Sequence, residues 1–369
     1  MKIGLITIYH VPNYGSVLQA YATKILLEKF GVECKMIKYR YPNEWHWEQG
    51  TFKTPWIRRI FRKLFPLKKN THLQRFRKQN YNFTKLYKNL SELCSEDWKD
   101  YDAFVVGSDQ VWNARYVKGD SAFMLSFAPN NKLKFSIASS FAMESLPEHI
   151  REKYRKHLSK FTAISVREQN GLKILREDLK LKIPSRVLLD PTMLLSRHDW
   201  LNIIARSDFR KTRPYILFYM LSYAFEPRPY IFKVLKHFKE TMDCDVIALE
   251  GYTKPNLAQG VHMKNMCNSS IEEFIDLFAN ADLVITSSFH GTAFALNFGI
   301  PLISIVPEGN GDDRQTTLLK SVGCESNAIK VGFDIEHIEA GYDVTRVQKS
   351  LDTIRNENKK WISDLIKAN

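Results

Sequence analysis

The turn around His290 has the residue types and spacing expected of a site that binds an anion or transfers a proton. Residues 283–285 form a β-branched apolar run typical of a buried parallel strand, and residues 293–298 carry apolar side chains at helical spacing up to Gly299. Such a turn faces the crevice where open α/β sheets bind ligands, and the helix start offers unpaired N–H groups. His290 is therefore a candidate functional residue, and capping of the helix is its alternative role.

A second polar turn follows the apolar run 101–106 and spans residues 107–113. Trp112 could stack on the apolar face of a sugar, while Asp109, Gln110 and Asn113 could hydrogen-bond its hydroxyls. Polar groups at the end of a buried strand are costly to bury and useful in a cleft. The alternative is a structural turn with capping side chains.

Two further turns carry candidate binding residues. Arg167 directly follows the apolar run 163–166, where a guanidinium serves as a ligand clamp or as half of an ion pair; Glu168 points to the opposite side if the chain is still extended. Residues 13–16, after the first predicted strand, also lie where such folds bind ligands, but they lack the GxGxxG spacing of a dinucleotide site.

The elements that position these turns alternate between strand and helix along the whole chain. We predict an α/β protein with two doubly wound, Rossmann-like domains facing a cleft, a GT-B-like arrangement. The predicted parts are an N-terminal, acceptor-side domain at 1–195 with a basic insertion at 49–91, a C-terminal, donor-side domain at 196–345, and a helix at 346–369 that crosses back. Within them we expect strands at 135–142, 187–190 and 261–263, and helices at 17–30, 229–242 and 344–368.

Composition limits the classes of protein to consider. The 369 residues, with 44% hydrophobic and 12% aromatic content, are typical of a globular protein of two α/β domains. Five cysteines without paired spacing predict neither a disulfide framework nor a zinc site, and no metal ligand set is expected. No signal peptide or membrane-spanning run is evident, so we expect a cytoplasmic protein.

The net charge of +14 is concentrated in one segment, because residues 49–91 contain no Asp or Glu. Within residues 56–69 apolar and basic side chains alternate at helical spacing, as in a helix lying on an anionic membrane surface, here the inner face. The equally weighted alternative is a solvated insertion whose apolar stripe packs on its own domain. No nucleic-acid motif accompanies the charge, so we predict no nucleic-acid partner.

Five segments in order resemble the polysaccharide pyruvyl transferase family: NYGSVLQAYA at 13–22, VVGSDQVWN at 105–113, ISVREQNG at 164–171, LLDPTML at 188–194 and TSSFHGTAFALNFGIPLI at 286–303. The resemblance implies a two-domain GT-B fold. It also implies transfer of pyruvate from phosphoenolpyruvate to two hydroxyls of a sugar as a cyclic ketal, with no further cofactor. Such enzymes modify capsule, exopolysaccharide or cell-wall repeat units, often while the acceptor is lipid-linked.

The resemblance also implies roles for individual residues. It places Arg167, His290 and Arg314 around phosphoenolpyruvate, with His290 as general acid or phosphate ligand; where many members carry an arginine two residues before the histidine, this chain has Ser288. Ser288 and Gly291, at the predicted helix start, complete the donor site. Asp109 is the candidate base. The remaining turn residues are the candidate acceptor site: Asn13, Tyr14, Ser108, Gln110, Trp112 and Asn113.

Two other functions remain open at this point. The same architecture serves glycosyltransferases that use a nucleotide sugar, because fold alone does not fix the donor. A non-catalytic carbohydrate-binding or assembly protein held at the membrane by the basic segment is the third possibility.

Overall fold

The chain forms two parallel β-sheets, each covered by helices on both faces. The structure is a computed structural model that describes residues 1–40, 68–250, 260–309 and 311–368. In the first sheet the strand order is β3-β2-β1-β4-β5. Its strands are β1 (Lys2–Ile6), β2 (Glu33–Tyr39), β3 (Phe83–Tyr87), β4 (Ala103–Val106) and β5 (Leu133–Ser136).

A short parallel pair continues the first sheet beyond β5. It consists of β6 (Ile164–Val166) and β7 (Ser185–Val187), and bridges from Phe135 to Ala163 and from Ser139 to Val166 join it to the end of β5. The second sheet has the order β10-β9-β8-β11-β12-β13. Its strands are β8 (Tyr215–Tyr219), β9 (Asp245–Ala248), β10 (Lys264–Asn265), β11 (Leu283–Thr286), β12 (Leu302–Val306) and β13 (Ala328–Lys330).

Helices alternate with these strands, as the sequence pattern predicts for parallel sheets. In the first half they are α1 (Tyr14–Lys29), α2 (Lys68–Asn80), α3 (Leu90–Cys94), α4 (Ala114–Val117), α5 (Glu148–Leu158), α6 (Gln169–Lys173), α7 (Pro191–Leu194) and α8 (Arg197–Ile204). In the second half they are α9 (Tyr230–Thr241), α10 (Ile271–Ala279), α11 (Phe289–Phe298), α12 (Arg314–Ser321) and α13 (Val344–Lys367).

The strands are apolar on both faces because each face meets a separate layer of helices. In β4, Ala103 and Val105 pack into one hydrophobic cluster, while Phe104 and Val106 pack into another. Residues of β8 divide in the same way between the first cluster and a third one on the outer face of the second sheet. The first cluster therefore contains side chains of both sheets and fills the space between them.

The last helix connects the two halves of the molecule. The Arg355 guanidinium donates to the Met193 carbonyl at 2.7 Å and to the Asn297 side chain at 2.8 Å. The Asn358 side chain accepts a hydrogen bond from the Leu189 backbone at 2.8 Å. Helix α13 thus contacts both the end of the first sheet's domain and the helix α11 of the second.

Several predicted boundaries differ from the observed ones for local reasons. The predicted strand 135–142 ends at Ser136, because Ala138 (φ 51°) and Ala142 (φ 48°) adopt left-handed backbone and turn the chain away from the sheet. The predicted strand 187–190 is instead β7, and the predicted strand 261–263 lies just before β10. Left-handed residues and edge strands of two or three residues leave little periodic signal in a sequence.

Most of the predicted membrane-binding segment 56–69 lies outside the described residues. Its last residue, Lys69, belongs to α2, where its ammonium pairs with Glu250 at 2.7 Å and lies 4.5 Å from the centre of the Tyr14 ring. Lys69 is therefore a contact between the two halves of the protein. None of the described helices is both long enough and apolar enough to span a bilayer.

Candidate active site

The first turns of α1 and α11 meet where the two sheets face each other. Gly15 in α1 packs directly against His290 in α11, so closely that a Cβ at Gly15 would lie 2.1 Å from the imidazole Nδ1. Helix N-termini carry unpaired N–H groups and partial positive charge. Two of them at one point create a site that favours an anion.

The turn that carries His290 is short and closely packed. Only Ser287 and Ser288 separate β11 from α11, and the Ser288 hydroxyl caps the helix by accepting from the Gly291 backbone at 3.4 Å. Gly291 is required by packing, because a Cβ there would lie 2.3 Å from Thr286 Oγ1. Ser288 and Gly291 therefore hold the helix start in place, and that start positions His290.

Arg167 is wholly buried beside this helix start. Its Nη1 donates to Asp190 at 2.9 Å, its Nη2 lies 3.6 Å from an Asp109 oxygen, and its guanidinium stacks 4.4 Å from the centre of the Phe289 ring. Its Nε and Nη2, like His290 Nε2, are buried and have no hydrogen-bond partner among the residues that the structure describes. Buried donors without acceptors are rare in native proteins and call for a ligand or water.

Arg314 lies near the same aromatic ring. Its guanidinium carbon lies 5.9 Å from the centre of Phe289, and its Nε and Nη2 donate to the two carboxylate oxygens of Asp312 at 2.7 and 2.5 Å. Asp312 holds the pKa of this buried guanidinium above its ordinary value, although burial alone would lower it. The predicted donor-site residues Arg167, His290 and Arg314 are thus brought together around Phe289.

Two buried aspartates complete the cluster. Burial opposes ionisation of Asp109 and Asp190, but Arg167 and His290 nonetheless keep the pKa of both carboxyls below the ordinary value. The Ser16 hydroxyl donates to Asp109 at 2.5 Å. Asp109 itself has left-handed backbone, with φ 76°, a strained conformation that is concentrated at functional sites.

The imidazole of His290 is neutral in this setting. Burial lowers its pKa to about 4, although Asp190, whose Oδ2 lies 3.8 Å from Nε2, pulls the pKa upward. Burial disfavours the charged form of a histidine, and a nearby anion favours it. A further anion bound beside the ring would therefore raise the pKa of His290.

The balance of charge differs from the sequence-based expectation of two cations free to bind a dianion. Arg167 is paired with Asp190 and Asp109, and Arg314 is paired with Asp312. The two guanidinium groups thus already contact three carboxylates. A dianionic donor must use the unpartnered N–H groups of Arg167 and the helix starts, or displace Asp312.

An open cavity of about 710 Å³ adjoins the cluster and is lined by both halves of the molecule. Gln110 and Asn113 come from the first half, and Ala224, Phe225 and Asp312 come from the second. The Asn113 side chain donates to Gln110 Oε1 at 2.7 Å. A cleft of this size with a few polar groups is typical of a small-molecule site.

Four of the six predicted acceptor residues, Asn13 among them, do not line this cavity. Trp112 is 0% exposed and its indole N–H donates to the Phe123 carbonyl, so the prediction that it stacks on a sugar is wrong. Tyr14 is likewise 0% exposed, with its hydroxyl bound to the Ser269 carbonyl. Ser108 is buried and donates to Asp190 at 2.6 Å.

Asn13 has a structural role at the start of α1. Its side chain caps the helix by accepting from the Ser16 backbone at 3.2 Å. Of the predicted acceptor residues, Gln110 and Asn113 are therefore the two that line the cleft.

Sequence reasoning missed the roles of Phe289, Asp190 and Glu168. Glu168 Oε1 accepts from Ser140 Oγ at 3.1 Å and from the backbone N–H groups of residues 141 and 142 at 2.8 and 3.2 Å. Burial, with a smaller contribution from Asp313, raises the pKa of Glu168 to about 7, against the opposing effect of Arg167. The Asp-Pro pair after β7 was the available signal for Asp190, because a carboxylate at a strand end faces the same crevice.

Within the ranges that the structure describes, no group of three or more His, Cys, Asp or Glu side chains is placed to hold a metal ion. The chemistry of the cluster is that of buried hydrogen-bond donors, two aspartates and a neutral imidazole. Such a set can hold an anion and move a proton beside it.

Solved structures share this two-domain architecture. UDP-GlcNAc 2-epimerase from Methanocaldococcus jannaschii aligns over 100% of both chains with 14% identity and a TM-score of 0.57. The corresponding protein from Neisseria meningitidis, solved with UDP-GlcNAc bound, aligns over 100% of both with 11% identity and a TM-score of 0.55. The one from Rickettsia bellii covers 100% of this chain and 96% of its own, with 10% identity and a TM-score of 0.55. The fold is therefore the predicted GT-B-like fold.

The sequence assigns the family within that fold class. Residues 13–309, most of the chain, match the family described as polysaccharide pyruvyl transferase. The protein belongs to this transferase family, which confirms the resemblance carried by the five sequence segments. No curated protein matches the sequence significantly.

Proposed function

We propose that the protein transfers pyruvate from phosphoenolpyruvate to two hydroxyls of a sugar in a polysaccharide repeat unit and so forms a cyclic ketal. Membership of the family supports this reaction. One structural observation supports it further: among the described residues, the buried atoms Arg167 Nε, Arg167 Nη2 and His290 Nε2 have no hydrogen-bond partner at the junction of two helix N-termini.

The donor carries a carboxylate and a phosphate, and these groups fit different parts of the cluster. We assign the carboxylate to the unpartnered edge of Arg167, where a planar guanidinium matches it. The phosphate lies at the start of α11, beside His290 and Arg314. Arg314 contributes to binding if the phosphate takes the place of Asp312.

Binding of the donor converts His290 into an acid. The pKa of about 4 in the free protein means that the ring is neutral at pH 7, and a phosphate next to it favours the imidazolium form. The imidazolium then gives its proton to the methylene carbon, which becomes the methyl group, and the C2 carbon becomes an oxocarbenium-like centre. One sugar hydroxyl adds at C2, and a second displaces inorganic phosphate to close the ketal.

Asp109 is the group we assign as base for the first hydroxyl. Its carboxylate is ionised, is held by Ser16 and Arg167, and directly precedes Gln110, which lines the 710 Å³ cleft. The proton of the first hydroxyl passes to Asp109, and that of the second leaves with phosphate. Gln110 and Asn113 orient the sugar in the cleft.

Ligand binding tests the donor assignment. We expect phosphoenolpyruvate to raise the melting temperature of the protein by a shift that depends on His290, and UDP-sugars to produce no shift that depends on His290. His290→Gln should abolish phosphate release from phosphoenolpyruvate in the presence of acceptor while the fold is retained. Full activity of His290→Gln would exclude the residue from the mechanism.

The competing function is a glycosyltransferase that uses a nucleotide sugar. The pairing of both guanidinium groups with carboxylates, together with Ser288 at the position of the family arginine, favours this alternative. Stabilisation by UDP-sugars that is lost in His290→Gln, with no stabilisation by phosphoenolpyruvate, would establish it and overturn our proposal.

A further inference from the structure

A second cavity lies between the carboxyl end of β2 and helix α2, and none of its described lining residues belongs to the His290 cluster. Its volume is about 550 Å³. Basic and aromatic side chains dominate its described lining: Lys38, Arg40, Arg77 and Lys78, with Tyr9, His10, Tyr39 and Phe83.

The described residues place no carboxylate against the positive charge of this cavity. No Asp or Glu is among its described lining residues. Within the described ranges, Lys38, Arg40, Arg77 and Lys78 form no ion pair with a carboxylate; the contact of the Lys38 ammonium is with the Phe83 ring, 5.5 Å away. Helix α2 adds no counter-charge, because its sequence contains five Lys or Arg and no Asp or Glu. Four cations around one cavity repel each other unless an anion lies between them.

Arg77 is fixed in position at the wall of the cavity. Its Nη1 donates to the Tyr9 carbonyl at 3.0 Å, and its other guanidinium nitrogens have no partner among the described residues. Burial lowers the pKa of Arg77 below its ordinary value, and no carboxylate of the described part of the chain offsets that cost. A half-buried guanidinium with free N–H groups is suited to bidentate binding of a phosphate.

The position in the fold agrees with a ligand site. Tyr39 ends β2, and Tyr9 lies in the turn after β1, so the cavity opens at the carboxyl ends of adjacent parallel strands. Open α/β sheets bind ligands at these ends. The turn that carries Tyr9 continues to Asn13, the residue that caps α1 at the His290 cluster.

We propose that this cavity binds a ligand through a pyrophosphate group. Four cations match the two to three negative charges of a pyrophosphate better than the single charge of a carboxylate, and a neutral sugar would need none of them. The proposal does not depend on phosphoenolpyruvate as donor, because it uses none of the residues assigned to that site.

Calorimetric titration with inorganic pyrophosphate at low salt tests the proposal. We expect one site, retained in His290→Gln, that Lys38→Gln/Lys78→Gln weakens at least tenfold, because each lysine loses a charge-assisted contact. Lys349→Gln, an exposed change on α13, is the matched control and should leave the affinity unchanged. Binding should also fall steeply with salt, and less steeply in the double variant.

Two probes then identify the source of the pyrophosphate. UDP represents a soluble ligand, and vesicles carrying a lipid pyrophosphate represent a membrane-bound one; binding of either that the double variant weakens supports the proposal. Absence of pyrophosphate binding, equal affinity in the double variant, or loss of binding in His290→Gln would overturn it. A circular dichroism spectrum matching that of the parent shows that the double variant is folded.

Discussion

Gly15→Ala is the change that tests most directly whether α1 and α11 meet as described. The added Cβ would lie 2.1 Å from His290 Nδ1, 2.4 Å from Cγ and 2.8 Å from Cε1. Ordinary contacts between such atoms begin at about 3.5 Å, so the imidazole or the helix must move by more than about 1 Å. The ring is rigid and buried, and it cannot simply rotate its far end away.

The expected magnitude follows from two opposing effects. Alanine in a helix is more stable than glycine by up to about 1 kcal/mol. Overpacking of a closely packed site costs about 1–3 kcal/mol. We therefore expect a net loss of about 1–2 kcal/mol of unfolding free energy, and about a 100-fold loss of transfer activity, because His290 is displaced by about 1 Å.

The assay is a double-mutant cycle measured by denaturant unfolding. In a His290→Ala background the ring is absent, so Gly15→Ala should become neutral or stabilising there. Gly341→Ala, where a Cβ meets nothing within 4 Å, is the control and should change stability little. An equal loss of stability from Gly15→Ala in both backgrounds would refute the contact between the two helix starts.

Three further changes probe the surroundings of the site. Burial raises the pKa of Glu168 from 4.5 to about 7, so the folded state binds this proton more tightly than the unfolded state. The stability that this group contributes is therefore full below pH 4.5 and is lost as the pH rises to 7. Glu168→Gln should remove about 3 kcal/mol of that decline in a pH series of unfolding curves, and an unchanged dependence of the unfolding free energy on pH contradicts the assignment. Trp112→Phe should cost about 1–3 kcal/mol through the lost hydrogen bond to Phe123 and the space left behind, with the KM for the sugar acceptor unchanged; a raised KM would restore Trp112 to the acceptor site. Asp312→Asn should free Arg314 and strengthen phosphoenolpyruvate binding about tenfold in a titration at low salt, whereas weaker binding would show that the Asp312 carboxylate positions Arg314.

The sequence was sufficient to predict the architecture and the place of the site. Short apolar runs that alternate with segments of helical periodicity predict parallel sheets. Residues at the carboxyl ends of their strands must then face one crevice. Arg167, His290 and Arg314 come together for that reason, although they are far apart along the chain.

The partners of those residues could not be predicted in the same way. Arg167 pairs with Asp190, which follows a different strand, and no periodic pattern links the two positions. Trp112 and Tyr14 stand in polar turns and carry a polar atom each, so cleft and core positions look alike in sequence. Whether such a side chain is buried depends on the hydrogen-bond acceptor that it finds in the folded protein. The Tyr14 hydroxyl donates to the Ser269 carbonyl, 255 residues away along the chain.

The hydrophobic cluster that fills the space between the sheets has a consequence for how the protein denatures. Leu5 of the first sheet and Leu217 of the second belong to one continuous apolar interior. Neither half can therefore unfold without exposing apolar surface of the other half to water. Calorimetry should therefore record a single melting peak, and a fragment ending near residue 195 should precipitate when expressed without its remainder.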